Sequence, residues 1–175
     1  MKTFLSLILS LGVAHAGNWP SWRGPHNNGI CNESGLPVQW SASENVAWSV
    51  ELPAPGNSTP IVWEDRVFIT QASEKGKREL MCFSRLTGEI LWRAGTTYLE
   101  PESTHATNPY CSASPVTDGQ RVICSFASAG VFCFDLAGKE IWHRDLGKQE
   151  HIWGNGSSPV LSDGVCYLNF GPGER

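Results

Sequence analysis

The residues best equipped for chemistry fall in two polar stretches. One reads H-A-T-N-P-Y from His105 and offers His105, Asn108 and Tyr110; the other reads H-I-W-G-N from His151 and offers His151, Trp153 and Asn155. An imidazole can ligate a metal or shuttle a proton, an amide or phenol can hydrogen-bond a ligand, and an indole can stack on one. Each stretch runs into a Ser-Pro pair, Ser114-Pro115 and Ser158-Pro159. Asn108 stands seven residues before its Pro and His151 eight, while Tyr110 stands five before and Asn155 four. Similar offsets from a shared anchor predict that all six gather on one face, near a common axis. Two His without a paired carboxylate fall short of a catalytic metal set. The six are therefore candidate ligand-binding residues, weighed against plain hydrogen bonding within the loops. No catalytic residue and no metal ligand is assigned.

Other chemistries fail on pattern. The run G-N-G-S-S-P around Ser157 lacks the G-x-S-x-G of a nucleophile elbow. The run G-P-G-E-R at Gly171 is a turn, since no Gly-Lys-Ser/Thr and no helix follow. Six cysteines are present, Cys31, Cys82, Cys111, Cys124, Cys133 and Cys166. An even count permits disulfides in an exported chain. Yet Cys82, Cys124, Cys133 and Cys166 sit in apolar strand patterns, where Cys behaves as a small buried hydrophobe. Those four are expected as free thiols. Cys31 and Cys111 lie in loops, and their pairing stays open. No C-x-x-C occurs, which removes zinc-ribbon and thioredoxin-type readings.

The elements that must position these loops come from an internal repeat. Leu80 to Trp92 reads L-M-C-F-S-R-L-T-G-E-I-L-W, and Val131 to Trp142 reads V-F-C-F-D-L-A-G-K-E-I-W. Each copy is an apolar run, a Gly turn and a second apolar run closed by Trp, which is a hairpin signal. Trp48 aligns with Trp92 and Trp142 at spacings of 44 and 50 residues, and Pro60, Pro115 and Pro159 at 55 and 44. Four short strands are expected in a first unit: Ser58 to Val62, Val67 to Thr70, Leu80 to Arg85 and Glu89 to Arg93. The charged run Glu74 to Glu79 reads as a loop. A second unit repeats the pattern from Ser114 to Arg144, and a third starts at Ser157. Val46, Trp48 and Val50 alternate with polar neighbours and predict one further strand. Four strands per unit at a period near 45 residues predict an all-β fold, a β-propeller of four-stranded antiparallel blades. The chain would hold a partial propeller, about two full blades plus parts of two more. The closing Trp of each unit is expected to pack between blades. Because a closed propeller needs more blades, truncation is expected, with missing blades of the same chain as partners.

The N-terminus reads as a signal peptide over residues 1–16, with Lys2, an apolar run from Phe4 to Val13, and the cleavage pattern Ala14-His15-Ala16. The apolar run is too short to span a bilayer. An N-terminal arm over 17–43 follows, where Trp19 and Trp22 would anchor on the domain, and the blades occupy 44–175. Exported, soluble, periplasmic or extracellular localisation follows from this reading. The net charge of −4 and the lack of any basic run argue against nucleic-acid binding, and no segment reads as a membrane span.

The blade text S-P-V, D-G, then C-F-D-L-A-G-K-E-I-W resembles the PQQ-like β-propeller repeat family. That family includes quinoprotein dehydrogenases and BamB-like outer-membrane assembly factors. The motifs W-R-G-P, H-A-T-N-P-Y-C-S-A-S-P and H-I-W-G-N-G-S-S-P look like a secreted bacterial subgroup of it. Arg85 departs from the pattern, since the usual acidic residue appears only as Asp135 in the second copy. The resemblance implies about seven or eight blades and a non-catalytic, BamB-like binding or assembly scaffold, engaging a protein partner or a carbohydrate and needing no cofactor. The alternative it implies is a fragment of a PQQ- and calcium-dependent quinoprotein dehydrogenase. The adjacent Cys pair and the acidic calcium loop such enzymes carry are not found in this text.

Overall fold

A computed structural model describes residues 17–171. The expected signal peptide and the last four residues, which complete the G-P-G-E-R turn, lie outside the described residues. The first blade is a four-stranded antiparallel sheet of β1 (Ile61–Trp63), β2 (Arg66–Ala72), β3 (Lys77–Ser84) and β4 (Ile90–Thr97), in chain order. The second repeats it with β5 (Val116–Thr117), β6 (Arg121–Ser125), β7 (Val131–Asp135) and β8 (Glu140–Arg144). A third unit supplies β9 (Val160–Ser162) paired with β10 (Val165–Tyr167). The fold is all-β, a partial β-propeller.

Two details sharpen the repeat. Both blades carry a register shift at the same point of strand three, between Cys82 and Phe83 and between Cys133 and Phe134. The extra residue is Leu91 in one and Ile141 in the other, each half exposed. Strand three of the first blade also begins earlier than expected, at Lys77, inside the charged run read as a loop, and only Glu74–Gly76 turns there. A full ladder from Lys77↔Thr97 to Cys82↔Trp92 overrides the polar composition. Lys77 meets water, as a polar residue on an antiparallel sheet can, whereas Arg78 is buried.

The second blade buries both faces, one against each neighbouring unit. Ile61, Phe68, Leu80 and Cys82 of the first blade share a cluster with Val122, Cys124, Phe132 and Phe134 of the second. The opposite face of the second blade (Val116, Ile123, Val131 and Cys133) packs with Trp142, Leu161 and Cys166. Ile69, Met81 and Phe83 on the outer side of the first blade meet Val50.

Two repeated contacts fix the spacing between blades. Near the axis, Thr59 N–H donates to Ser114 Oγ at 2.8 Å, and Ser114 N–H donates to Ser158 Oγ at 2.9 Å. These are the residues immediately before the three aligned prolines. At the rim, Trp48 Nε1–H donates to the Arg85 carbonyl at 2.8 Å, and Trp92 Nε1–H to the Leu136 carbonyl at 3.1 Å. The rings lie on turn glycines: a methyl on Gly88 would stand 2.6 Å from Trp48 Cδ2, and one on Gly138 2.6 Å from Trp92 Cδ2. The closing Trp therefore packs between blades, as expected. The strand expected around Trp48 does not form, although its indole is docked. Among the described residues no backbone ladder pairs with Val46 to Val50, and alternation alone cannot satisfy the N–H and C=O groups of an extended segment.

The N-terminal segment is tied to the inner edge. Trp19 and Val62 exchange two backbone hydrogen bonds of 2.8 Å, and Thr117 N–H donates to the Pro20 carbonyl at 2.9 Å, so one dipeptide touches both blades. The Trp19 ring lies on Gly24. Trp22 does not anchor and is 57% exposed, because buried Ser21 between the two indoles faces inward and hydrogen-bonds Gly24 O.

All six cysteines are free, with Cys82, Cys111, Cys124 and Cys133 buried and Cys31 exposed. Burial pushes Cys82 and Cys111 up to about 12 and Cys133 to about 11, from an ordinary 9.0, and pushes Cys124 up as well. The folded state thus keeps protons that the unfolded chain releases above pH 9, so stability is intact below that pH and falls as pH rises toward 11. Urea midpoints that decline over this window, with Cys31 alkylated fastest in the native state, are the expected outcome. Gly138→Ala combines a φ of +87° with the Trp92 clash, and is expected to lower the unfolding free energy by about 1–3 kcal/mol. Gly147→Ala, with φ +84° and nothing within 4 Å, should cost less in the same urea titration. The difference reads the Trp92 contact.

Candidate functional site

Two loops join strand four of one unit to strand one of the next, 98–115 and 145–159. Each contains a tight turn built on a histidine. His105 O accepts Asn108 N–H at 2.9 Å while His105 Nδ1 accepts Thr107 N–H at 3.3 Å. His151 O accepts Gly154 N–H at 2.9 Å while His151 Nδ1 accepts Trp153 N–H at 3.3 Å. His105 and His151 are therefore the structural equivalents. Counting back from the prolines matches His151 with Asn108 instead, because the two loops differ in length after the turn.

The six candidate residues separate into two sets. His105, Asn108 and Trp153 come together: the His105 and Trp153 rings lie 4.6 Å apart at 52°, and Asn108 Nδ2 donates to the Trp153 carbonyl at 2.6 Å. Asn57 Nδ2 donates to the Thr107 carbonyl at 2.7 Å and holds the first turn from the other side. Trp153 remains 54% exposed. His151 is exposed on the adjoining turn. Tyr110 and Asn155 are partly buried and hold the loops from within. Tyr110 Oη–H donates to the Glu102 carbonyl at 2.8 Å. Asn155 donates to Gln149 Oε1 and accepts Ser157 N–H at 3.0 Å.

Beneath these loops lies a charged pair that sequence reasoning missed. Arg78 Nη2 and Glu102 Oε2 stand 3.9 Å apart with side chains only 4% and 5% exposed. Glu102 Oε1 accepts the Ser128 hydroxyl at 2.7 Å and its backbone N–H at 3.0 Å. The Arg78 guanidinium lies 3.7 Å over the Tyr110 ring, and Ser128 Oγ accepts Gln149 N–H at 2.8 Å. Burying a charge is costly without such partners. Here one carboxylate ties the first loop to strand three of the first blade, to the β6–β7 connection and, through Ser128, to the second loop. The faint signal was an Arg at the start of a strand and a Glu between Pro101 and Ser103. Neither position is marked by spacing.

A cleft of about 330 Å³ opens between Pro101–Ser103 and Lys148–Ile152. On its rim, Lys148 Nζ and Glu150 Oε1 pair at 2.8 Å, which raises the Lys148 pKa and lowers that of Glu150. Among the described residues no three His, Cys, Asp or Glu side chains are grouped to hold a metal ion, and no helix is long and apolar enough to cross a membrane.

Repeated four-stranded blades, joined at axis and rim and carrying ordered loops between them, define a β-propeller repeat protein. Residues 30–171 match the family described as outer membrane protein assembly factor BamB, and the chain belongs to that family. It is similar to the crystal structure of BamB from Moraxella catarrhalis at 18% identity and a TM-score of 0.47, over 70% of this chain and 33% of that one. The chain thus spans about a third of the length of that protein. No curated protein matches the sequence.

Glu102→Gln leaves Arg78 buried without its counter-charge and is expected to cost about 3–5 kcal/mol in urea unfolding. Pairing it with Arg78→Met removes the orphaned charge and should recover much of the loss.

Proposed function

We propose that the chain works as a non-catalytic binding scaffold that engages another protein through the loop face of His105, Asn108 and Trp153. One observation carries this reading. A half-exposed indole is fixed in place, its ring beside His105 and its backbone carbonyl held by Asn108. An exposed aromatic ordered before contact gives buried area at little further entropic cost, which is the property of an interface hot spot. The family's description as an outer membrane assembly factor supports a protein as partner.

The reading includes the organisation expected from sequence: an export signal over 1–16, an arm over 17–43 and blades from 44 onward. It also assigns the face of the third unit to a further repeat. Trp142 stands in the rim position of Trp48 and Trp92, and Ser158 ends the axial hydrogen-bond series as described. A following blade would continue both.

The test places a photo-crosslinking residue at the exposed Ile152 and compares the native protein with Trp153→Ala in exported fractions. A defined protein adduct, competed by excess native protein and weakened about tenfold or more by Trp153→Ala, is the expected result. Identical adducts from both would sink the loop-face reading. Saturable PQQ uptake in the presence of calcium would overturn the non-catalytic one.

A further inference from the structure

The N-terminal segment begins with a backbone nitrogen that a distant carboxylate receives. Glu33 Oε1 accepts the Gly17 N–H across 16 residues of chain, and both residues are exposed. A methyl on Gly17 would stand 3.4 Å from the same oxygen, so the carboxylate lies directly against this residue. Among the described residues Glu33 pairs with no Lys, Arg or His within ion-pair distance. The neighbours of Gly17 fix where its nitrogen stands. Asn18 Oδ1 accepts the Glu64 N–H at 2.7 Å, and Trp19 exchanges two backbone hydrogen bonds with Val62.

In the sequence, the cleavage pattern Ala14-His15-Ala16 ends at this same nitrogen. A carboxylate binds an ammonium more strongly than a neutral amide, because both partners then carry charge. We infer that the Ala16–Gly17 peptide bond is a processing site whose new α-ammonium group is held by Glu33. The inference rests on the export-signal reading and adds to it the residue that receives the mature end. A leader peptidase of the exporting cell carries out the step. Water adds across the amide, Ala16 departs as a carboxylate, and Gly17 keeps its nitrogen, which at neutral pH is mostly protonated. The amide hydrogen bond to Glu33 thereby becomes an ion pair. It closes residues 17–33 into a loop and backs the contact of Trp19 and Pro20 with both blades. An exposed pair of this kind acts modestly and weakens with salt.

The experiment expresses the full chain in an exporting bacterial host, measures the intact mass of the exported protein, and then treats it with an aminopeptidase. The exported protein should begin at Gly17. At low ionic strength, Gly17 should be released about two- to fivefold faster from Glu33→Gln than from the native protein. That difference should shrink in molar salt. Glu33 is exposed, so a native amide spectrum is expected of the variant. A chain that still begins at Met1 sinks the export-signal reading and this inference together. A first residue other than Gly17 overturns the inference and leaves export standing. A first residue of Gly17 with equal trimming of both proteins, or with a difference that salt leaves untouched, overturns the inference alone.

Discussion

The contact between successive blades governs this structure, and it is made twice, once at each radius. At the axis, the residue before each anchoring proline passes a hydrogen bond sideways: Thr59 to Ser114, then Ser114 to Ser158. A residue before proline is held extended, so the three positions repeat the same backbone shape. At the rim, an indole closes each unit by covering a glycine turn of the next and donating to a carbonyl beside it. Between these points lie the apolar faces, with Phe68 and Leu80 meeting Val122 and Phe134. A sheet with two apolar faces has no stable existence alone, so stability resides in the interfaces.

Fixed blade spacing sets what the loops can do. The two long connections leave neighbouring blades side by side, close enough for Asn108 to reach the Trp153 carbonyl. Their undersides are joined more firmly by Glu102, which meets Arg78 from one blade and Ser128 from the other. A buried charge of this kind stabilises only when its whole set of partners is present. The loop face and the interblade contacts are therefore mechanically one unit. The N-terminal segment strengthens the same junction from the axis, since Trp19 pairs with Val62 while Pro20 reaches Thr117.

The blades were legible in the sequence because they repeat. Cys82 with Cys133, Gly88 with Gly138 and Trp92 with Trp142 occupy equivalent places in three dimensions, down to a register shift after each cysteine. Non-repeating features were read less well. Val46 to Val50 has the alternation of a strand, but alternation reports burial and not the presence of a neighbour, so Trp48 docks without a strand forming. Lys77 to Glu79 is too polar to look like strand, yet its ladder to β4 decides the matter. Arg78 and Glu102 were invisible for a different reason. Their partnership depends on a loop folding back over 24 residues of chain, and no local pattern encodes that return.

His105 and His151 show how a repeat acquires a site. Both build the same turn, with the carbonyl and ring nitrogen accepting from the same two positions downstream. The turns then diverge through the residues that follow them. His105 lies against an indole from the other loop, whereas His151 faces solvent beside Ile152. Trp153 occupies the turn position that Thr107 holds in the first loop, so one substitution within a duplicated frame places an aromatic surface where its counterpart has a hydroxyl. The shared turn determines where the side chain stands, and the departure from the repeat determines what it can touch. In a fold made of copies, recognition is therefore best sought where equivalent positions differ, held in place by positions that do not.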